Sequence, residues 1–108
     1  LPMIVTENGL GAYDKLEEGN VVNDDYRITY LRDHIAAMRQ AVDSGVPVFG
    51  YNPWSVMDLI STHEGFLKRY GFIYVNRNND SELDLARYKK KSFFWYRSVI
   101  DSNGADLA

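Results

Sequence analysis

Apolar residues follow two patterns along the chain, and each pattern predicts a different kind of element. Mostly apolar runs lie at residues 1–6, 46–51 and 71–75, and short runs of this kind are typical of buried strands. Between the first two runs, apolar side chains recur at spacings of three and four, at Ile28, Leu31, Ile35, Met38 and Val42. That spacing predicts an amphipathic helix. A strand, a helix and a strand in this order indicate a βαβ unit with parallel strands.

Polar residues and a glycine predict the limits of this helix. Asn23 is the expected N-cap, and Asp24 and Asp25 then lie in the first turn, where the helix dipole favours acids. Gly45 stands where a glycine commonly ends a helix. Because the first run is apolar on both faces, we expect its strand to lie inside a parallel sheet that helices cover.

A second helix is predicted near the end of the chain, from about Lys89. Phe93, Tyr96 and Ile100 share one face of this helix, and we expect that face to pack on the rest of the fold. The basic stretch at residues 87–91 is expected to be a solvated entry to the helix.

Composition places limits on the class of protein. A chain of 108 residues with 45% hydrophobic and 25% charged residues is typical of one globular domain. The formal net charge of −3 gives no broad basic surface, so no nucleic-acid partner is predicted. Cysteine is absent, which excludes disulfides and thiolate metal sites. No apolar run is long enough to span a bilayer, and no membrane partner is expected.

A carboxylate follows the first predicted strand directly. In parallel α/β folds, functional residues gather at the C-terminal ends of the strands. Glu7 has that position on the first strand, and residues 51–54 have it on the second. A solvated loop residue or a helix-capping acid is an equally good interpretation of Glu7 from its position alone.

Longer motifs favour the functional interpretation. The strings IVTENG, NDDYRITYLRDHIAAMRQAVDSGVPVFGYNPWSVMDL, KRYGFIYV and KKKSFFWY follow one another in this order. Together they resemble glycoside hydrolase family 1 over nearly the whole chain. The resemblance implies an α/β fold that comprises the last two βα units of a (β/α)8 TIM barrel, with a short extended segment near residues 71–75. Residues 1–108 would be a single partial domain, the C-terminal quarter of the catalytic domain. The chain begins at a strand without an initiator methionine, which also leads us to expect a piece of a longer protein.

The resemblance assigns a chemical role to Glu7. In the family, the glutamate of the TENG motif is the nucleophile of a retaining glycosidase, which forms a covalent glycosyl-enzyme. A second glutamate, in an Asn-Glu-Pro motif, protonates the leaving group. This chain has no such tripeptide, since its Asn52-Pro53 lacks the glutamate. We therefore expect the chain alone to be inactive. Two carboxyl groups and water suffice for the reaction, so no metal or organic cofactor is implied.

The segment after the second strand bears on the substrate. Family members commonly read Trp-Ser-x-x-Asp-x-x-Glu-Trp, whereas this chain reads WSVMDLIST, with Ser61 at the glutamate position. Ser61, Lys68 and Tyr70 resemble the phosphate site of the family's 6-phospho-glycosidases. A hydroxyl, an ammonium and a phenol can converge on a phosphate dianion. Without the family, the alternative is that Lys68 and Arg69 face solvent and that Tyr70 packs in the core.

Two further residues bear on the sugar itself. The resemblance assigns Trp54 to contact with substrate hydroxyls, although it could be only a core aromatic. Thr62 stands where galactoside-preferring relatives often keep a tryptophan, which favours a gluco-configured substrate. The sequence predicts a cytoplasmic retaining 6-phospho-β-glucosidase, with a 6-phospho-β-glucoside and the rest of the barrel as partners. A plain β-glucosidase and a non-catalytic fragment, which binds sugar phosphate or assembles with another chain, stay open. Unpaired strand edges also lead us to expect self-association.

Overall fold

The computed structural model describes residues 1–108 as four strands and two helices. The elements are β1 (Met3–Asn8), α1 (Asp25–Asp43), β2 (Val48–Pro53), β3 (Ile73–Val75), β4 (Arg87–Lys89) and α2 (Lys91–Asp101). β1 and β2 form a parallel pair, and β3 and β4 form a separate antiparallel pair. The predicted βαβ unit, the extended segment near residues 71–75 and the second helix are all confirmed. Neither helix is both long and apolar enough to cross a membrane.

Burial of the first strand differs from the prediction. Met3 and Ile4 are 48% and 43% exposed, and Phe49 of β2 is 69% exposed. The expectation that β1 is covered on both faces is therefore wrong within this chain. β1 has a partner strand along one edge only, and no second layer of the chain covers these apolar side chains.

The hydrophobic core lies between the two helices and the residue that precedes β3. Its buried members are Ile28, Leu31, Ile35, Phe72, Trp95 and Val99. The first three confirm the predicted apolar face of α1. On α2 the buried hydrophobic positions are Trp95 and Val99, four residues apart, whereas Ile100 is 66% exposed. The predicted face of α2 is thus rotated, because Phe93 and Tyr96 pack only on the rim of the core.

The start of α1 lies one residue later than predicted. Asp24, and not Asn23, is the N-cap residue, and the Asn23 side chain instead donates a hydrogen bond of 2.7 Å to Glu17. The Asp24 carboxylate accepts hydrogen bonds from the amide and hydroxyl groups of Ser92, at 2.9 and 2.5 Å. Asp24 therefore connects the start of α1 to the start of α2.

Six buried charged residues form one alternating series of ion pairs, which we call the buried ionic chain. Its members in spatial order are Asp24, Arg27, Asp14, Lys90, Asp58 and Arg69. The Lys90 ammonium lies 2.5 Å from Asp14 and 2.6 Å from Asp58 and is fully buried. The expectation of a solvated stretch at residues 87–91 is therefore wrong for Lys90. Acids and bases alternate in equal number, so no buried charge is left unpaired.

The charges of the buried ionic chain favour the ionised form of Asp14. Burial by itself would raise the pKa of Asp14, but the charges of Lys90 and Arg27 overcome this effect and hold the pKa below its ordinary value. The Asp14 carboxylate in turn raises the pKa of Arg27 against the opposing effect of burial. The folded state thus binds the Asp14 proton more weakly than the unfolded chain does.

This difference predicts acid-sensitive stability. An acid whose pKa is depressed in the folded state stabilises the fold above its unfolded pKa, about 3.9, and this contribution is lost as the pH falls through the folded pKa. We expect the urea midpoint of the chain to fall steeply below about pH 4. Asp14→Asn should lower stability at pH 7 by about 3 kcal/mol, because it leaves Lys90 and Arg27 with one partner fewer.

The matched control is Asp43→Asn, which removes an exposed acid at the end of α1. It should leave both the urea midpoint at pH 7 and its fall in acid nearly unchanged. An Asp14→Asn variant with the same stability and the same acid dependence as the unchanged chain would contradict this account.

Candidate active site

Glu7 lies at an irregularity near the C-terminal end of β1. Val5 pairs with Tyr51 and Asn8 with Pro53, so β1 advances three residues while β2 advances two. An extra residue of this kind is a bulge, which changes the direction of side chains near the end of a strand. The Asn52 side chain donates a hydrogen bond of 3.1 Å to the Val5 carbonyl at this point. Glu7 itself is exposed.

Asn8 anchors the end of β1, a role that the sequence analysis missed. The side-chain nitrogen of Asn8 donates to the Tyr30 hydroxyl at 3.3 Å. The side-chain oxygen, Oδ1, accepts a hydrogen bond of 2.6 Å from the Tyr51 hydroxyl. Tyr30 belongs to α1 and Tyr51 to β2, so Asn8 joins all three elements of the βαβ unit. This anchoring fixes the end of β1 directly after Glu7. The sequence analysis had treated Asn8 only as a residue that ends the strand.

Trp54 lies directly beside the end of β1. Its amide donates a hydrogen bond of 2.7 Å to the Asn8 carbonyl, and its peptide bond to Ser55 is cis. A Cβ atom on Gly9 would overlap the Trp54 carbonyl oxygen, so only glycine permits this approach. Trp54 is 42% exposed and lies outside the hydrophobic core of this chain. Trp54 and Glu7 thus lie at adjacent strand ends.

The predicted serine–lysine–tyrosine cluster, Ser61, Lys68 and Tyr70, also assembles in part. The hydroxyl oxygens of Ser61 and Tyr70 are 3.4 Å apart. Ser61 is only 7% exposed, and Tyr70 is half-buried but outside the hydrophobic core. Gly11 lies against both the Tyr70 ring and the Lys68 side chain, which brings Lys68 to the same place.

The backbone of this cluster is held by Arg69, between Lys68 and Tyr70. Arg69 and Ala12 exchange two backbone hydrogen bonds of 2.7 and 2.9 Å, which join the loop after β1 to the loop before β3. The alternative that Arg69 faces solvent is wrong, since its guanidinium is buried and lies 3.0 Å from Asp58. Arg69 is thus the point where the buried ionic chain reaches the cluster.

Asp58 adds further contacts on the other side of Arg69. Its carboxylate accepts hydrogen bonds from the amides of Gly71 and Val75, at 3.1 and 3.2 Å. These bonds hold the segment that follows Tyr70. Lys68 and Tyr70 are therefore presented by a segment that is held in place by ion pairs and backbone contacts.

Lys68 has an anionic neighbour that the sequence analysis did not single out. Its ammonium lies 3.1 Å from Glu64 Oε2, and the Tyr13 hydroxyl donates to the same oxygen at 3.0 Å. Hydrogen bonds from Lys68 and Tyr13 lower the pKa of Glu64. The Glu64 carboxylate in turn raises the pKa of Lys68. No repeated spacing connects Tyr13 to Glu64 in the sequence, so only the fold reveals this contact.

Glu7 and the cluster belong to the same end of the β1–β2 pair. Gly11 follows Glu7 by four residues, and four residues span at most about 14 Å. Gly11 in turn touches Tyr70 and Lys68. Gly11 thus connects the loop that follows Glu7 to the side chains of Lys68 and Tyr70.

Comparison with known proteins identifies the family of the chain. The family model described as Glycosyl hydrolase family 1 matches residues 1–105. The chain belongs to this family. Its predicted α/β fold, as part of a family 1 (β/α)8 barrel, is confirmed by structures as well as by sequence. The chain superimposes on the structure "Family 1 b-glucosidase from Thermotoga maritima in complex with isofagomine lactam" with a TM-score of 0.88 and 36% identity, over 97% of this chain and 23% of that one.

Two similar family 1 proteins carry phospho-glucosidase names. The chain is 56% identical over 107 residues to Aryl-phospho-beta-D-glucosidase BglC of Bacillus subtilis. This match covers 99% of this chain and 22% of that protein. It is 50% identical over 107 residues to 6-phospho-beta-glucosidase AscB of Escherichia coli, over 98% of this chain and 23% of that protein. The chain thus spans less than a quarter of the length of these relatives.

The packing of Gly11 generates a structural prediction. A Cβ atom there would lie 2.5 Å from Tyr70 Cζ and 2.8 Å from Lys68 Cε. We expect Gly11→Ala to displace both side chains, and to shift the amide resonances of residues 68–70 in a heteronuclear NMR spectrum while the rest of the spectrum is retained.

Gly50→Ala is the matched control, because its Cβ atom would lie 2.8 Å from Ile4 Cδ1, in the β1–β2 pair. It should shift resonances of β1 and β2 and leave residues 68–70 unchanged. If Gly11→Ala left residues 68–70 as unperturbed as this control does, the described packing of the cluster would be refuted.

Proposed function

We propose that this chain is part of a retaining 6-phospho-β-glucosidase, which hydrolyses β-glucosides phosphorylated at the 6-position. The observation that carries the proposal is that the hydroxyls of Ser61 and Tyr70 lie 3.4 Å apart, while the Tyr70 ring and the Lys68 side chain both lie against Gly11, four residues after Glu7. The names of the Bacillus subtilis and Escherichia coli relatives agree with it. The proposal concerns the whole barrel, of which this chain supplies less than a quarter.

Glu7 is the proposed nucleophile. Its carboxylate attacks the anomeric carbon and forms a covalent glycosyl-enzyme while the bond to the leaving group breaks. A second carboxyl group, from another part of the barrel, protonates the leaving oxygen and then activates the water that releases the sugar. The two carboxyl groups of a retaining enzyme lie about 5–5.5 Å apart. The bulge near Glu7 and the anchoring of Asn8 support this role, because a nucleophile needs a fixed direction.

The serine–lysine–tyrosine cluster is the proposed phosphate site. Lys68 supplies a positive charge, and the hydroxyls of Ser61 and Tyr70 supply neutral donors. Ser61 replaces a glutamate of ordinary family members, so the site loses a repulsive charge and gains a donor. Trp54, exposed at the end of β2, is proposed to contact the sugar ring and its hydroxyls. Thr62 favours a gluco-configured sugar.

A plain β-glucosidase is the second candidate, and the match to the Thermotoga maritima β-glucosidase structure is the observation that favours it. The two candidates differ in their preference for a phosphorylated substrate. A test needs a complete barrel, which a chimera supplies when residues 1–108 replace the matching segment of the Bacillus subtilis relative.

We expect this chimera to hydrolyse p-nitrophenyl β-glucoside 6-phosphate in preference to the unphosphorylated glucoside. Ser61→Glu should lower that ratio of kcat/KM values at least about ten-fold, because it places a carboxylate against the phosphate. The exposed Ser81, in the loop between β3 and β4, provides the control Ser81→Glu, which should keep the ratio. Equal hydrolysis of both glucosides by the unchanged chimera would reject the phosphate site and favour the plain β-glucosidase.

A second control establishes that the turnover depends on this segment. Glu7→Gln removes the attacking carboxylate, and the chimera that carries it should lose nearly all turnover of both glucosides. Full turnover by this variant would reject Glu7 as the nucleophile without bearing on the phosphate site.

The isolated chain is proposed to behave differently from the barrel. We expect it to show no turnover, since it carries one of the two carboxyl groups, and to self-associate through the exposed edges and apolar side chains of the β1–β2 pair. Sedimentation velocity over a range of concentrations and the same hydrolysis assay measure the two properties. A strict monomer with a cooperative melt would refute the self-association, and clear turnover by the purified chain would refute the inactivity.

A further inference from the structure

Two donors from separate loops converge on a single carboxylate oxygen beside the proposed phosphate site. Glu64 Oε2 lies 3.1 Å from the Lys68 ammonium and 3.0 Å from the Tyr13 hydroxyl. Tyr13 follows β1 and Lys68 precedes β3, and the backbone bonds between Ala12 and Arg69 hold these two loops together. The position between Tyr13 and Lys68 therefore suits one anionic oxygen.

The occupant of this position is weakly held. The side chains of Glu64 and Lys68 are 42% and 30% exposed, and Tyr13 is 66% exposed. Ion pairs in such surroundings are weakened by water and salt. The buried ionic chain is different, because its side chains are at most 3% exposed. An incoming anion can therefore displace Glu64, whereas it cannot displace the partners of Lys90.

A phosphate group would make better use of the same donors. It carries a charge of about −1.5 to −2 at pH 7 and has three acceptor oxygens, whereas the carboxylate of Glu64 carries a single charge. One phosphate oxygen can replace Glu64 Oε2 between Tyr13 and Lys68, and the others can face the hydroxyls of Ser61 and Tyr70. Glu64 would then turn into solvent, where a carboxylate is well hydrated.

We propose that Tyr13 is a further phosphate-binding residue, and that Glu64 occupies its oxygen position until the phosphate of the substrate displaces it. This inference rests on the proposed function, because it assigns two more residues to the same phosphate site. Tyr13 adds a donor to the bound state, and Glu64 lowers the apparent affinity by competing for Lys68 and Tyr13.

The two roles have separable signatures in the chimera with p-nitrophenyl β-glucoside 6-phosphate. Glu64→Gln removes the competing charge and should lower KM about two- to five-fold, the range of an exposed ion pair. In the Glu64→Gln background, Tyr13→Phe removes the bond to phosphate and, in the free state, at most a weaker bond to the neutral Gln side chain, so it should raise KM between about two- and ten-fold. When Glu64 is retained, Tyr13→Phe should raise KM by less. The free state then loses the bond to Glu64 and the bound state loses the bond to phosphate, so the two losses partly cancel.

Matched controls remove a charge or a hydroxyl elsewhere. Glu18→Gln changes an exposed acid in the loop between β1 and α1, and Tyr88→Phe changes a tyrosine of β4. Both should leave KM unchanged. The same Glu64 and Tyr13 variants of the isolated chain can be titrated with inorganic phosphate and followed by the amide resonances of residues 11–13 and 68–70. Here Glu64→Gln should lower the phosphate concentration at half-saturation.

Each outcome decides the inference. An unaltered KM in Tyr13→Phe with Glu64→Gln would reject Tyr13 as a ligand, and an unaltered or raised KM in Glu64→Gln would reject the competition. Either result, in a chimera that still prefers the phosphorylated glucoside, would leave the proposed function intact. A chimera without that preference would overturn the proposed function and this inference together.

Discussion

A lysine enclosed by two carboxylates connects the separate parts of this chain. Lys90 lies within 2.6 Å of both Asp14 and Asp58, residues that are far apart in sequence and belong to the loop after β1 and the segment after β2. Removal of Asp14 or Asp58 would leave the buried positive charges in excess of the negative ones, in a place that water does not reach. The start of α2, the loop after β1 and the segment before β3 therefore have one arrangement in which all their charges are satisfied.

The arrangement of the candidate site follows from this constraint. Asp58 binds Arg69, and Arg69 joins its backbone to Ala12 in the loop after Glu7. The segment that carries Lys68 and Tyr70, part of the proposed phosphate site, is in this way joined to the loop that follows Glu7. Functional charges at the surface exchange with solvent and ligands, whereas the buried charges fix the backbone that carries them. Lysines and acids thus have two different roles in this chain. Those that are buried hold the backbone in place, and those that are exposed are available to solvent.

Several elements were predictable from the sequence because they depend on local patterns. The spacing of Ile28, Leu31 and Ile35 identified α1, and the apolar runs identified β1, β2 and the extended segment of β3. The errors concern residues whose environment comes from distant segments. Asn23 is a good N-cap by type, yet Asp24 takes the position because Ser92 and Arg27 bind its carboxylate. The rotation of the buried face of α2 likewise depends on how this helix packs against α1.

The sequence by itself determined the helices, the parallel βαβ unit and, through family resemblance, the glutamate and the serine, lysine and tyrosine that the proposed function uses. These features are properties of short segments, since periodicity and motifs act over neighbouring residues. Only the tertiary structure decided that Lys90 is buried and that Tyr13 meets Glu64 beside Lys68. Such contacts join residues tens of positions apart, and their energies depend on burial, which no local pattern encodes.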